Sequence, residues 1–311
     1  MKSKNIAILY PKSQFSDVQL QRLLGLGKVD FIQSVSGSSL VKCPKDTELL
    51  VVNPDIFGGA VKAKSRLLQL LDTLPNIKYL VLSSSDSSFL DLDYCRQRGI
   101  IVSSVPFCDA ESRAEHIIAL LLACSRRIII NDRRTYRRKY QPEPGFEIRG
   151  KRLGVVGSGP TIERVILLAR AVGMTVYAPE RFDGAIRRPL EHLLPDSDLL
   201  TIYLPNNEQS QKFLDKERIG KLRRGMIVVN IGNREVVDER AINEALISRK
   251  IDTYCFEAES MGNSPLKGNE FAIMLKPFST YTKETIERNQ EAMVDNIDGI
   301  VRGKPYSQME L

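Results

Sequence analysis

The stretch Gly154-Val-Val-Gly157-Ser158-Gly159-Pro160-Thr161-Ile162 decides the fold. An apolar strand runs into a tight turn, and a helix begins at once. Gly157 permits the turn, and Gly159 lets the backbone come close to a pyrophosphate. The helix N-terminus then offers free N–H groups and the positive end of its dipole to an anion. The third glycine of a G-x-G-x-x-G pattern, which normally allows close helix–strand packing, is Ile162, so the match is partial. Beyond the helix, Gly173-Met-Thr-Val-Tyr-Ala-Pro-Glu180 reads as a second strand ending in an acid, 21 residues past Gly159. An acid there accepts bonds from ribose hydroxyls and repels a 2′-phosphate, which favours NAD over NADP. Arg181, Arg187 and Arg188 pull the other way, so NADP stays open. The alternative is a doubly wound domain that has lost its nucleotide.

Working outward, Arg152–Val156 and Thr175–Ala178 read as strands around a helix over Thr161–Val172. Leu199–Leu204, Met226–Asn230 and Ile251–Phe256 look like later strands of the same series, and Thr282–Val301 has the pattern of a closing amphipathic helix. On the N-terminal side, Ile6–Tyr10, Leu49–Val52, Tyr79–Leu82 and Ile100–Val102 read as buried strands, with helical spacing in between, as over Val61–Thr73. Strands alternating with helices argue for parallel sheets covered on both faces. The expected class is α/β, with two Rossmann-like domains built on doubly wound parallel sheets. Glu111 to Arg127 is apolar almost all round and is expected to be buried on most sides.

The 311 residues allow two domains, each with its own core. No apolar run reaches the roughly 18 residues a membrane span needs. Met1-Lys-Ser-Lys leads into an apolar run too short for a signal-peptide core, and it is read as the first strand. Five cysteines without CxxC spacing suggest free thiols in a reducing cytoplasm. With two histidines, neither near a cysteine pair, no metal site is expected. The net charge of +7 is concentrated in part in Arg126, Arg127, Arg133, Arg134, Arg137, Arg138 and Lys139. No helix-turn-helix or aromatic stacking motif accompanies them. A solvated or subunit-facing helix is expected there rather than a nucleic-acid surface.

An ordered set of segments resembles the D-isomer-specific 2-hydroxyacid dehydrogenases. Ile100–Pro106 followed by Ala114-Glu115-His116, Gly150-Lys-Arg-Leu-Gly154, Gly173-Met174, Leu204-Pro205-Asn206-Asn207, Gly225-Met-Ile-Val-Val-Asn230 and Val237-Asp238-Glu239 fall in that family's order and spacing. The resemblance implies a discontinuous substrate domain, residues 1–108 plus 283–311, with a dinucleotide-binding domain inserted at 109–282. It implies an active cleft between the two, a small-molecule acid substrate, and a homodimer. Leu204, Pro205, Asn207 and Ile231 join the turn residues as expected cofactor contacts.

The chemistry implied is hydride transfer between nicotinamide and a 2-keto acid. It needs a cation for the substrate carboxylate, a proton donor for the oxygen, and a carboxylate that tunes the donor. The family solves this with Arg, His and Glu. Here the arginine position falls on Asn233, with Arg234 one residue late. Asparagine carries no charge and cannot replace a bidentate clamp. The glutamate position falls on Glu259. The histidine position, after Pro277, is Phe278, which neither donates a proton nor hydrogen-bonds. His116 matches a structural histidine of the family, and His192 lies outside the expected cleft. Ser279 and Tyr281 are candidate replacement donors. Tyr254 replaces an acid that would hold the carboxamide, and Arg113 is a candidate substitute cation. A hydroxyl-rich loop, Ser83-Ser-Ser-Asp86-Ser-Ser88, suits a polar ligand or is a solvated turn. Two functions stay open: an oxidoreductase acting on a 2-keto, 2-hydroxy or imino acid through a rebuilt site, and a catalytically impaired dinucleotide-sensing or partner-binding scaffold.

Overall fold

A computed structural model describes residues 4–33, 41–83, 87, 89–105, 108–205, 207–304 and 309. Ser84, Ser85, Asp86 and Ser88 of the hydroxyl-rich loop, together with Pro106 and Asn206 of the family-like segments, lie outside the described residues. The chain separates into two compact units, 1–108 with 283–311, and 109–282.

The first unit contains β1 (Lys4–Ile8), α1 (Asp17–Leu24), β2 (Gly27–Phe31), β3 (Leu49–Val52), α2 (Ala60–Asp72), β4 (Tyr79–Leu82), α3 (Leu92–Gln97) and β5 (Ile101–Ser103), and the closing helix Lys283–Val301 returns to it. Its strands are all parallel in the order β2-β1-β3-β4-β5. All four residues of β3 are buried, because both faces of the sheet are covered. Leu50 and Val52 pack with Leu67, Leu70 and Leu71 of α2. Leu49 and Val51 pack on the other face with Met293, Val294 and Ile297 of the closing helix.

The second unit contains α4 (Ala110–Ser125), α5 (Ile128–Tyr136), β6 (Arg152–Gly157), α6 (Pro160–Ala171), β7 (Thr175–Ala178), β8 (Ile186–Arg187), α7 (Leu190–Asp196), β9 (Leu199–Tyr203), α8 (Lys216–Lys221), β10 (Met226–Asn230), α9 (Glu239–Ile247), β11 (Ile251–Glu257) and β12 (Ala272–Leu275), which precedes the closing helix, α10. The strand order is β12-β11-β10-β9-β6-β7-β8, every pair parallel. The chain therefore reverses its direction of travel across the sheet between β6 and β9. In a sheet of this kind the carboxyl ends of the strands beside the reversal are where ligands bind. Gly157, Tyr203, Asn230 and Glu257 are the last residues of β6, β9, β10 and β11.

Several expected boundaries shift. The first strand runs Lys4–Ile8 rather than Ile6–Tyr10, although Leu9 stays buried and its amide still bonds Val51. An apolar run marks burial, not the end of a ladder. The expected helix from Glu111 to Arg127 stops at Ser125, because Arg127 takes the left-handed conformation (φ 59°) and a second helix, α5, follows. This segment is not uniformly solvated. Arg127 forms a two-pronged ion pair with Asp252, and Arg134 is buried against Glu270, Glu143 and the Gln141 carbonyl. The two-residue β8 and the short α3, α7 and α8 carry too few periodic positions to read from sequence.

Candidate active site

The turn after β6 is built around two glycines. A Cβ on Gly157 would sit 2.3 Å from the Tyr203 carbonyl oxygen, so the end of β6 can lie beside β9 only as glycine. Gly159 (φ 84°, ψ −176°) occupies a region open essentially to glycine alone, and a Cβ there would meet nothing within 4 Å. The floor is tight and the mouth is open. Gly159 caps α6 without any side-chain bond, and Pro160 has no N–H to satisfy. Among the described residues, the amides of Ser158, Gly159 and Thr161 have no acceptor. Three unsatisfied donors at the positive end of a helix form a cradle for a diphosphate.

Ile162 does not plug that cradle. It is fully buried and packs inward with Leu153, Val155, Val165 and Ala114. Its branched side chain fills the space between helix and strand that a third glycine would close by letting the backbones approach. Glu180 and Arg181 stand exposed beyond β7, and Arg181 borders a cavity of about 470 Å3 with Arg170, Phe182 and Asp183. Arg187 is exposed, whereas Arg188 is tied to Asp196 and lies over the Tyr177 ring.

At the end of β10, Asn230 is completely buried. Its Nδ2 donates to the Asn233 carbonyl (3.1 Å) and to the Tyr254 hydroxyl (3.3 Å), and its Oδ1 accepts from the Gly232 amide (3.1 Å). One neutral side chain thus pins the loop that carries Ile231, Asn233 and Arg234. Tyr254 is buried and stacked on Phe256, with ring centroids 4.8 Å apart. Burial pushes its hydroxyl well above the usual tyrosine value, so it stays a neutral hydrogen-bond partner. Asn233 accepts from the Glu235 amide and caps a short 3-10 turn. Arg234 is held by Glu239 through both Nε and Nη2, and its Nη1 donates to the Ser260 carbonyl (2.9 Å). It lines an open depression of about 910 Å3 together with Glu208, Gln211, Lys212 and Glu235. Before that loop, Leu204 is half-buried and Pro205 exposed. Asn207 and Ser210 form a reciprocal pair, in which the Asn207 amide donates to Ser210 Oγ and the Ser210 amide donates to Asn207 Oδ1.

The two acids of Glu257-Ala258-Glu259 have opposite environments. Glu259 has 83% of its side chain exposed and pairs with Lys276. Glu257 is buried and accepts from the Phe278 amide (2.8 Å), the Ser279 amide (2.8 Å) and the Ser279 hydroxyl (2.7 Å). His116 Nε2, on α4, lies 3.3 Å from Glu257 Oε1. Burial by itself would raise the Glu257 pKa. The contacts to His116 and Ser279 and the two amides outweigh it, and the carboxyl lies below its ordinary value of 4.5.

Glu257 is not marked as functional by the sequence, because an acid inside an apolar strand carries no sign of its partner. The available signal was its place in the run Tyr254-Cys-Phe-Glu257, where strand burial continues to the last residue. Ser112 Oγ donates to the Ser279 carbonyl (2.6 Å), and Arg113 is bound to Asp109 and lies 5.6 Å from the Tyr203 ring centre. The structure therefore brings Ser112, His116, Glu257 and Ser279 together. Phe278 and Tyr281 are exposed, and His192 is exposed on α7.

Residues 118–276 match the family model of the D-isomer specific 2-hydroxyacid dehydrogenase NAD-binding domain. The chain belongs to the D-isomer-specific 2-hydroxyacid dehydrogenase family. It carries that family's NAD-binding domain, and the cradle after β6 fits a dinucleotide. Among relatives, it is 31% identical over 274 residues to a D-3-phosphoglycerate dehydrogenase of Archaeoglobus fulgidus, covering 83% of this chain and 52% of that one. It thus spans about half the length of that relative. It is 26% identical over 257 residues to a glycerate dehydrogenase of Methylorubrum extorquens, covering 77% and 81%. A glyoxylate reductase structure from Paecilomyes thermophila superposes with a TM-score of 0.81 over 99% of both chains at 20% identity, which establishes the shared fold.

Proposed function

We propose that this member of the family is an NAD-dependent oxidoreductase that interconverts a 2-keto acid, or an imino acid, and its reduced form through a rebuilt site. The observation that carries the reading is the open Gly159 turn with three unsatisfied amides, kept on the same sheet whose β11 ends in a buried, partnered carboxylate. A bound nicotinamide supplies or takes the hydride. The protein's own residues then have to hold the substrate carboxylate and move one proton at the substrate oxygen or nitrogen. Arg113, fixed by Asp109, is the proposed cation for the carboxylate, in place of the Arg234 that Glu239 holds. His116 is the proposed proton carrier in place of Phe278. Glu257 sits against it and stabilises the imidazolium, the role Glu259 has in the resemblance. A homodimer belongs to the same proposal and is checked by sedimentation velocity.

A second reading, a dinucleotide-sensing scaffold, is favoured by the capture of Arg234 and by Phe278. Loss of a general acid and of a charged clamp each costs catalysis about 10²-fold or more. The chain has no tryptophan, so NADH emission can be followed without energy transfer from one. NADH and NADPH are titrated, then 2-keto acids with and without ammonium are added and absorbance is followed. Turnover that His116→Ala abolishes supports the first reading. Binding with no oxidation across the panel replaces it with the second. No binding of either dinucleotide removes both.

A further inference from the structure

Within the second unit, α6 and the loop after β7 border a cavity of about 470 Å3, lined by Glu163, Leu167, Arg170, Arg181, Phe182 and Asp183. The three residues from α6 fall at i, i+4 and i+7, one face of the helix. The loop wall is anchored. Phe182 and Ala185 pack against the unit's core, and β8 pairs with β7 through Tyr177–Ile186 and Ala178–Arg187. Gly184, at φ 81°, lets the loop close on Arg170, since a Cβ there would lie 2.5 Å from Arg170 Nη1. Asp183 directly precedes Gly184, so Arg170 and Asp183 share one end of the cavity. Among the described residues, the side chains of Glu163, Arg170, Arg181 and Asp183 have no ion-pair or hydrogen-bond partner. Opposite charges thus line one space without closing on each other, whereas nearby Arg164 closes on Glu111 and Arg188 on Asp196. Leu167, 53% exposed, adds an apolar side chain to the same opening.

We propose that this cavity binds a free α-amino acid with an apolar side chain, as an effector of dinucleotide binding. The lining carries two charges of each sign, so it draws neither an anion nor a cation from a distance. A ligand with one charge would satisfy one pair of groups and be repelled by the other. A zwitterion satisfies both: its carboxylate takes the Arg170 guanidinium and its ammonium takes the Asp183 carboxylate. The apolar side chain then covers Leu167 and Phe182, surface that water otherwise wets. The volume lies within the range of small-molecule sites. The effect on the dinucleotide follows from the chain. Arg181, Phe182 and Asp183 come directly after Glu180, the acid expected to hold the ribose hydroxyls. A ligand that fixes residues 181–183 also fixes Glu180, so the two ligands are linked, and each changes the other's affinity by the same factor.

The test is a ligand-observed NMR titration of the dinucleotide-free protein with L-leucine and L-phenylalanine. The one-charge analogues 4-methylpentanoate and isopentylamine are the controls. The amino acids should bind with a Kd of about 0.05–1 mM, and each analogue about tenfold more weakly or worse. Arg170→Ala and Asp183→Asn should each weaken L-leucine about tenfold or more, with thermal midpoints establishing that both variants are folded. NADH titrated by fluorescence, with and without saturating L-leucine, should change in affinity about fivefold or more, and this change should be absent in Arg170→Ala. No binding by about 20 mM amino acid overturns the proposal. So does equal binding of the one-charge analogues, or binding that both variants leave unchanged, or NADH affinity that bound L-leucine does not move. A preference for NADPH that Arg170→Ala and Arg181→Ala both abolish, with no amino acid bound, would reassign the cavity to the 2′-phosphate of the cofactor. None of these readouts uses turnover, so a negative result here is separable from a negative result for the proposed reaction.

Discussion

Replacing Glu257 by alanine removes the acceptor of three donors at once: the amides of Phe278 and Ser279 and the Ser279 hydroxyl. Phe278 is exposed and its amide can turn to water, so two donors are left dry at Ser279, which is 3% exposed. An orphaned buried donor costs about 1–3 kcal/mol, so the expected loss is about 3–4 kcal/mol after partial rearrangement of the serine rotor. For a domain the size of the second unit, that corresponds to a fall of roughly 6–16 °C in thermal midpoint. Glu257→Gln keeps one acceptor oxygen and should cost about 1–2 kcal/mol. Glu259→Ala, two residues on, should stay within about 0.5 kcal/mol, because its carboxylate is exposed and its pair with Lys276 is screened. The pH dependence is a second readout. The Glu257 pKa is depressed in the folded state, so between the folded and unfolded values the unfolded chain binds more protons. The stabilisation is present above the ordinary value of 4.5 and is lost as pH falls through the lower folded value. The gap between native protein and Glu257→Gln should therefore narrow from pH 6 to pH 3. Urea unfolding of the three variants at both pH values measures this. Equal midpoints for Glu257→Ala and Glu259→Ala, or a gap that does not change with pH, would refute the reasoning.

Gly159→Ala should fold, since the added methyl meets no atom, at about 1–3 kcal/mol for the forced backbone, and NADH affinity measured by fluorescence should drop at least tenfold. Ile162→Gly, which restores the family's third glycine, should destabilise by about 4 kcal/mol in chemical denaturation, because it opens a cavity in a full core and puts glycine in a helix. Glu239→Ala strips an acceptor from both Arg234 and the Ser264 hydroxyl and should cost about 1–2 kcal/mol. If the freed Arg234 then reaches substrate, KM for a 2-keto acid falls while the dinucleotide affinity stays constant.

The turn at Gly157 and Gly159, the buried runs of β3 and β10 and the alternation of strand with helix were legible in the sequence. Each is a local pattern: a glycine where φ must be positive, or a continuous apolar strand where both sheet faces are covered. The family and its NAD-binding domain were legible in the same way, as segments in a fixed order. The direction in which Ile162 points, the capture of Arg234 by Glu239, and the opposite burial of Glu257 and Glu259 were decided only by tertiary structure. In a seven-stranded sheet, neighbours at the carboxyl edge come from segments far apart in the chain. Glu257 meets Ser279 and His116 across 22 and 141 positions. Whether a charge is buried, paired or free is set by those distant partners, and no local pattern records them.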